Sequence, residues 1–166
     1  MTDFDALVRE QGPLVFRTAW RVLGCAADAE DVAQEVFLEA HAADGREPVR
    51  NWGAFLRRLT VYRALDARRR RRADEPLDEG HTAASGGGPE EESAGRELAE
   101  RLRVAVIDLP RREAAVFCLR CFEELSYQEI AAALGITTSA AAAALHKARR
   151  KLETALCETR SSEPRA

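Results

Sequence analysis

Aromatic side chains are scarce, with six Phe, two Trp and two Tyr in 166 residues. The core must therefore be built mainly from aliphatic residues, for which an apolar fraction of 46% is ample in one or two small domains. No apolar run reaches 18 residues, and the N-terminus opens with an acidic amphipathic pattern rather than a signal peptide. Membrane insertion is thus not expected, and the chain is assigned to the cytoplasm. In that reducing setting Cys25, Cys118, Cys121 and Cys157 are expected as free thiols. Cys118 and Cys121 form a CxxC, but no second CxxC or His pair stands at ligand spacing and no βαβ pattern surrounds it. The pair reads as core cysteines inside a helical pattern. His81 and His146 are isolated, and no nucleophile–base or paired-carboxylate arrangement occurs. Catalysis, a bound metal and a cofactor are all unexpected. Strand signals are missing too, so the fold class is all-α.

What is present is organised by charge. The formal net charge of −3 hides a partition. Residues 1–73 carry 13 Arg against 11 acids, residues 74–96 one Arg against seven acids, and residues 97–166 11 basic against ten acidic groups. Helical periodicity runs over Phe4–Leu23, Asp28–Ala43 and Asn51–Arg72, then over Glu97–Leu109 and Arg111–Glu123. Between them PLDEGHTAASGGGPEEES, Pro76 to Ser93, has no period and is rich in Gly, Ser and Glu, the composition of a flexible acidic linker. The expected architecture is two small helical domains joined by that linker.

The sharpest motif is LSYQEIAAALGITTSAAAAALHKARR, Leu125 to Arg150. Ser126 and Glu129 form a capping box that starts a helix. Gly135 supplies a left-handed residue that ends it. Thr137, Thr138 or Ser139 can cap a second helix reaching about Leu156, with Leu145, Ala148 and Leu152 inward. Two short helices around a Gly turn make a helix-turn-helix, whose second helix enters the major groove by its N-terminal residues. Here those residues are the alanines 140 to 144, where base-reading side chains would be expected. A plain helical hairpin is the competing reading of this segment alone.

A second motif is DAEDVAQEVFLEAH, in which Asp28 can cap a helix. At 100° per residue, Ala29, Val32, Ala33, Val36, Phe37 and Ala40 share one face and Asp28, Asp31, Gln34, Glu35, Leu38 and Glu39 the other. Two readings stand: a solvated acidic face, or a partner's contact patch, for which the apolar Leu38 argues. The helix from Asn51 sets Trp52, Phe55, Leu56, Leu59 and Tyr62 along one side and adds Arg57, Arg58, Arg63 and Arg68–Arg72. Arginines beside aromatics suit phosphates and unpaired bases. Balance of the helix dipole and the acidic linker is the alternative, although five consecutive arginines exceed what a cap needs.

In order and spacing, FDALVREQGPLVFRTAWRVLG, DAEDVAQEVFLEA, NWGAFLRRLTVYRALDARRRRR, the acidic linker, LPRREAAVFCLRCFEELSYQEIAAALGI and HKARRKL resemble a small sigma factor of the extracytoplasmic-function group of the sigma-70 family, from Phe4 to Leu156. The resemblance implies a region 2-like domain over 1–73 for core polymerase docking and minus-ten melting, a linker over 74–96, a region 4-like helix-turn-helix domain over 97–160 for the minus-thirty-five element, and a tail over 161–166. Its implied partners are promoter DNA, core RNA polymerase through the beta-prime clamp helices and, for the second domain, the beta flap, with an anti-sigma factor as a frequent further partner in the group. The implied polymerase contacts are Asp28, Asp31, Gln34, Glu35 and Leu38. The implied DNA contacts are Arg50, Asn51, Trp52, Arg58, Tyr62, Arg63, Arg69 and Arg70 in the first domain. In the second they are Thr138, Ser139, Ala142, Ala143, His146, Lys147, Arg149 and Arg150.

Two departures from the family pattern stand out. Tyr62 replaces an Asn common in the strand-facing helix, and the alanine run replaces the polar start of the recognition helix. Three accounts of that run compete: contact with thymine methyls and groove shape, weak upstream binding with selection elsewhere, or a degenerate factor that binds polymerase without choosing promoters. A helix-turn-helix repressor or response regulator would explain the second motif alone, but leaves the Asp28–Glu39 face and the Arg run without a role.

Overall fold

The computed structural model describes residues 3–75 and 90–161, which fold into the helices α1 (Phe4–Leu23), α2 (Ala26–Asp44), α3 (Trp52–Asp74), α4 (Glu90–Ile107), α5 (Arg111–Cys121), α6 (Tyr127–Leu134) and α7 (Thr138–Ser161). Among the described residues there is no strand. No single described helix is long and apolar enough to cross a membrane.

The first three helices pack on one another. Asp3 starts α1 by accepting from the Ala6 amide at 3.2 Å, and Gly24 stops it at a left-handed φ of 71°. Helix α2 buries Ala29, Val32, Val36 and Ala40, the 3.6-residue stripe expected of it. Its cap differs from expectation: Cys25 is the N-cap, without a side-chain hydrogen bond, and Asp28 lies in the first turn. Helix α3 starts where Asn51 Oδ1 accepts from the Ala54 amide at 2.9 Å. It buries Leu56, Leu59, Val61, Ala64 and Leu65. Thr60 is fully buried, and its hydroxyl donates to the Leu56 carbonyl at 2.6 Å, so no polar atom is stranded there.

The remaining helices gather around α5, which is buried continuously from Ala114 to Leu119 and packs against α3, α4, α6 and α7. Helix α4 corrects the expected linker boundary, because Glu90 to Arg96 is already helical. The remainder of the expected linker from Pro76 to Pro89 lies outside the described residues. Helix α7 runs to Ser161 rather than to about Leu156. The end of the chain beyond it, 162–166, is likewise outside them. The CxxC is only half a core feature. Cys118 is fully buried, which pushes its thiol well up from the ordinary value, whereas Cys121 one turn later is exposed.

The capping box forms as expected: Ser126 Oγ accepts from the Glu129 amide at 3.2 Å and Glu129 accepts from the Ser126 amide at 2.7 Å. Gly135 ends α6 at φ 65°, and Thr137 rather than Thr138 or Ser139 opens α7, its Oγ1 accepting from the Ala140 amide at 3.1 Å.

The two helical groups are not merely tethered; they share one contiguous core, and α3 packs against α4, α5 and α6. Arginines join them by capping helix ends across the boundary. Helix C-termini leave carbonyls without intrahelical donors, at the negative end of the dipole. At the end of α4, Arg69 donates Nε to the Ile107 carbonyl and Nη2 to that of Leu109, each at 3.0 Å. At the end of α1, Arg103 donates across the boundary to the Arg21 carbonyl at 2.9 Å, while Arg68, within the first group, donates to that of Leu23 at 2.6 Å and reaches over to Glu100 of α4. At the end of α5, Arg21 donates to the Phe122 carbonyl. Burial pulls the Arg103 pKa below its ordinary value, opposed by Glu100. Arg72–Asp108 and Arg111–Asp66 ion pairs, at 2.6 and 3.0 Å, flank the seam.

Two measurements test these local devices. Replacing Arg69 by Ala removes donors from two carbonyls at once and is expected to cost about 1–3 kcal/mol in urea unfolding. Arg69→Lys should recover only part of it, since a point donor cannot span both oxygens. Hydrogen bonds from Ser126 hold the Glu129 carboxyl below its ordinary value of 4.5. Its contribution is therefore present above 4.5 and lost as pH falls through the lowered value. Glu129→Ala and the parent chain should differ in unfolding midpoint at neutral pH and converge in acid.

Candidate polymerase and nucleic-acid interfaces

The acidic motif resolves into an exposed stripe and two anchored edges. Asp31, Gln34, Glu35 and Leu38 all face solvent on α2, and Leu38 is 73% exposed. An aliphatic residue so exposed, on a helix face shared with Asp31, Gln34 and Glu35, is the composition of a contact patch with a polar rim. Asp28 and Glu39 differ from these four. Asp28 is half-buried and pairs with Arg71, and Glu39 accepts from Arg63 Nε at 2.7 Å. Helix α2 thus meets α3 along a seam of ion pairs while its outer stripe stays free for a partner.

The loop from Arg46 and the start of α3 form the second surface. Arg50, Asn51 and Arg58 line a groove of about 760 Å³ together with Pro48, Val49 and Phe55. Arg50 and Arg58 are exposed there. Asn51 spends its Oδ1 on the helix cap, which leaves its amide NH2 for other contacts. Trp52 does not line this groove; it is half-buried and packs edge-on against Phe55 at 5.7 Å between ring centroids. Tyr62 is half-buried beneath the guanidinium of Arg111, which sits 4.6 Å from its ring centroid.

The expected phosphate contacts fare unequally. Arg63 is engaged by Glu39, whose hydrogen bond raises the Arg63 pKa above its ordinary value. Arg69 caps α4. Arg70 is exposed and has no ion pair with a described residue. Of the five-arginine run, Arg70 alone therefore presents an unengaged guanidinium among the described residues, while Arg68, Arg69, Arg71 and Arg72 are committed to carbonyls and carboxylates.

The recognition helix divides the alanine run in two. Ala141 and Ala144 are core residues of α7, at 0% and 6% exposure, alongside Leu145, Ala148 and Leu152. Of the others, Ala143 is exposed, and Ala140 and Ala142 are half-buried at the edges of the outer face. Thr138, Ser139, His146, Lys147, Arg149 and Arg150 are exposed with Ala143. The outward surface at the start of α7 is thus two hydroxyls, two or three methyls and an imidazole, followed by cations.

Some groups bearing on these surfaces were not legible in the sequence. Ala132 and Ala133 of α6 form one wall of the Arg50 groove, and Arg111 covers Tyr62. Both belong to the second domain, 49 or more positions from the groups they meet, so no local pattern announces them. Arg120 lies 5.5 Å from the ring centroid of the exposed Tyr127 at the start of α6 and adds a further cation beside the helix-turn-helix.

Known proteins identify the family. Residues 7–73 match the family model for sigma-70 region 2, and residues 97–152 that for sigma-70 region 4. The ECF RNA polymerase sigma factor SigE of Mycolicibacterium smegmatis is 32% identical over 156 residues, an alignment spanning 92% of this chain and 61% of that protein's length. The RNA polymerase sigma-E factor of Streptomyces avermitilis is 30% identical over 166 residues, covering 99% of this chain and 90% of its own. SigW of Bacillus subtilis, another ECF sigma factor, is 29% identical over 150 residues, with 83% and 80% covered. Among solved structures, CnrH in complex with the cytosolic domain of CnrY superposes with a TM-score of 0.60 at 25% identity, over 93% of this chain and 88% of that one. With both regions present in family order and a relative matched over nearly its whole length, the chain belongs to the extracytoplasmic-function group of the sigma-70 family, the RNA polymerase sigma factors that direct promoter-specific transcription initiation.

Proposed function

We propose that this chain docks on core RNA polymerase through the α2 stripe of Asp31, Gln34, Glu35 and Leu38, with Asp28 at its edge, and brings two DNA-contacting surfaces to a promoter. The observation that carries this is the exposed Leu38 among acids on the outer face of α2, within the matched region 2. The stripe would meet the beta-prime clamp helices, and the second domain the beta flap. The domains would span residues 1–73 and 97–160 as functional units, joined by 74–96, of which 90–96 belongs to α4.

In the first domain, Arg50, Asn51, Trp52, Arg58 and Tyr62 would hold unpaired bases of the minus-ten strand, and Arg63, Arg69 and Arg70 its phosphates. Stacking and phosphate contact offset the lost base pairing, so melting needs no nucleotide hydrolysis and no catalytic residue. In the second domain, α7 would read the minus-thirty-five element sparingly. Its outward Ala142 and Ala143 offer methyl contact to thymine, Thr138, Ser139 and His146 offer hydrogen bonds, and Lys147, Arg149 and Arg150 neutralise phosphates. Buried Ala141 and Ala144 would contribute nothing to that reading directly. A protein regulator of the anti-sigma type is a further partner to seek, CnrH having been solved with the cytosolic domain of CnrY.

The decisive measurement is co-elution with purified core polymerase, followed by run-off transcription on genomic fragments. The parent chain should co-elute and yield discrete transcripts, and Asp31→Lys with Glu35→Lys should abolish both while the chain stays folded. Failure of the parent to co-elute, or indifference to the charge reversal, would overturn the reading. On upstream duplex, Lys147→Ala should weaken binding alike across sequences and lower the salt slope by about one. Ala143→Gly should lose about 1 kcal/mol of helix stability and, with the methyl gone, lessen the preference for thymine at the base it faces.

A further inference from the structure

We infer that the cavity walled by the end of α1, the end of α3 and α4 is a binding site for a small phosphate ester, its phosphoryl group held by arginines and its organic body laid against an apolar wall. The space measures about 290 Å³. Arg68, Arg71 and Arg72 line it from α3, Leu23 from α1, and Val104 and Ile107 from α4. None of these six is among the polymerase or DNA contacts assigned above.

The acids around the cavity are shared unevenly. Arg71 is held by both Asp28 and Glu75, and Arg72 by Asp108. Arg68 and Arg103 instead share one carboxylate, that of Glu100. Burial lowers the Arg103 pKa, Glu100 opposes this, and the charge of Arg68 lowers it again. Arg103 adjoins the cavity at Gly24, where an added Cβ would stand 2.9 Å from its Nη1. Arg68 gives the sharpest sign: its side chain is only 11% exposed, and its Nε is buried with no hydrogen-bond partner. A buried donor left unsatisfied is costly until an acceptor arrives.

A second set of donors meets the same space. Cys25 is the N-cap of α2, makes no side-chain cap and lines the cavity, so the positive end of a 19-residue helix stands at its wall. A phosphoryl group fits both sets. It carries about −1.5 to −2 charges at neutral pH and three acceptor oxygens, which answer forked guanidinium donors and helix amides together. A phosphodiester of nucleic acid carries a single charge and must leave by both ends, which suits an enclosed space of this size poorly. Leu23, Val104 and Ile107 offer apolar contact that inorganic phosphate would not use, and that contact favours the ester.

The test follows alkylation of Cys25 in the full chain by the neutral reagent iodoacetamide, read residue by residue by mass spectrometry. The exposed Cys121 and Cys157 serve as internal controls. The probes are inorganic phosphate, glycerol phosphate and AMP, with adenosine as the uncharged control, all at constant ionic strength. An ester at tenfold its Kd is expected to slow Cys25 alkylation about tenfold and raise the thermal midpoint by about 3 °C, with both control cysteines unchanged. Inorganic phosphate should act only at higher concentration, and adenosine should not act. Val104→Glu sets a carboxylate at a wall position that is 36% exposed and should abolish both effects. Arg71→Gln with Arg72→Gln should weaken both about tenfold. If one of these variants does not fold by circular dichroism, the other decides. Cys25 alkylation and midpoint both unchanged by every phosphate overturn the site. Protection that survives in the folded variant, or that potassium chloride reproduces at the same ionic strength, overturns it as well. Inorganic phosphate as potent as either ester overturns the ester and leaves free phosphate as the ligand.

Discussion

The arrangement of this molecule depends on guanidinium groups that cap helix ends contributed by distant parts of the chain. A helix terminus buried at a domain seam carries carbonyls that neither water nor the helix can satisfy, and a planar cation with several donors meets that need at the negative end of the dipole. Arg69 at α4, Arg68 and Arg103 at α1, and Arg21 at α5 all do this, and the partners come from both halves. Aliphatic contact around α5 supplies the non-directional attraction, and the caps decide how the halves are oriented. A chain so poor in aromatics has few large rings to set that geometry, so directional cations take a larger share.

The same chemistry explains why the arginine run has two meanings. A guanidinium answers a helix-end carbonyl, a carboxylate or a phosphate with the same donors, so the residues suited to hold a DNA strand are also suited to hold the other half of their own chain. The dipole-balancing alternative raised by the sequence is partly realised, but the helix ends served belong to α1 and α4 rather than to α3 itself. Arg70 is the exposed member of the run without an ion pair to a described residue; Arg71 and Arg72, also exposed, are held by Asp28 and Asp108.

The alanine run acquires a similar double account. In α7 every third or fourth small residue lies against α5 and α6, and Ala141, Ala144 and Ala148 let those helices approach closely. Two of the five alanines that looked like missing readers are core residues whose size is set by packing. The reading question narrows to Ala142 and Ala143, flanked by Ser139 and His146.

Local devices were legible in the sequence because their partners lie within four residues. The capping box at Ser126 and Glu129, the left-handed Gly135, and the inward stripes of α2 and α7 follow from spacing alone. Family membership was equally legible, since three motifs in order do not require coordinates. Boundaries set by tertiary support were not: α4 begins seven residues before the expected Glu97, and Asp28 yields its expected capping role to an ion pair with Arg71. The composition of each candidate surface could be listed from the sequence; which of its groups are engaged could not. Arg111 over Tyr62 and Ala132 beside Asn51 join residues far apart in the chain. The sequence by itself determined the helices, their faces and the two regions of a sigma factor. The tertiary structure alone decided which arginines are engaged, which alanines are buried and which surface stays open, because those depend on contacts across the seam that no periodicity encodes.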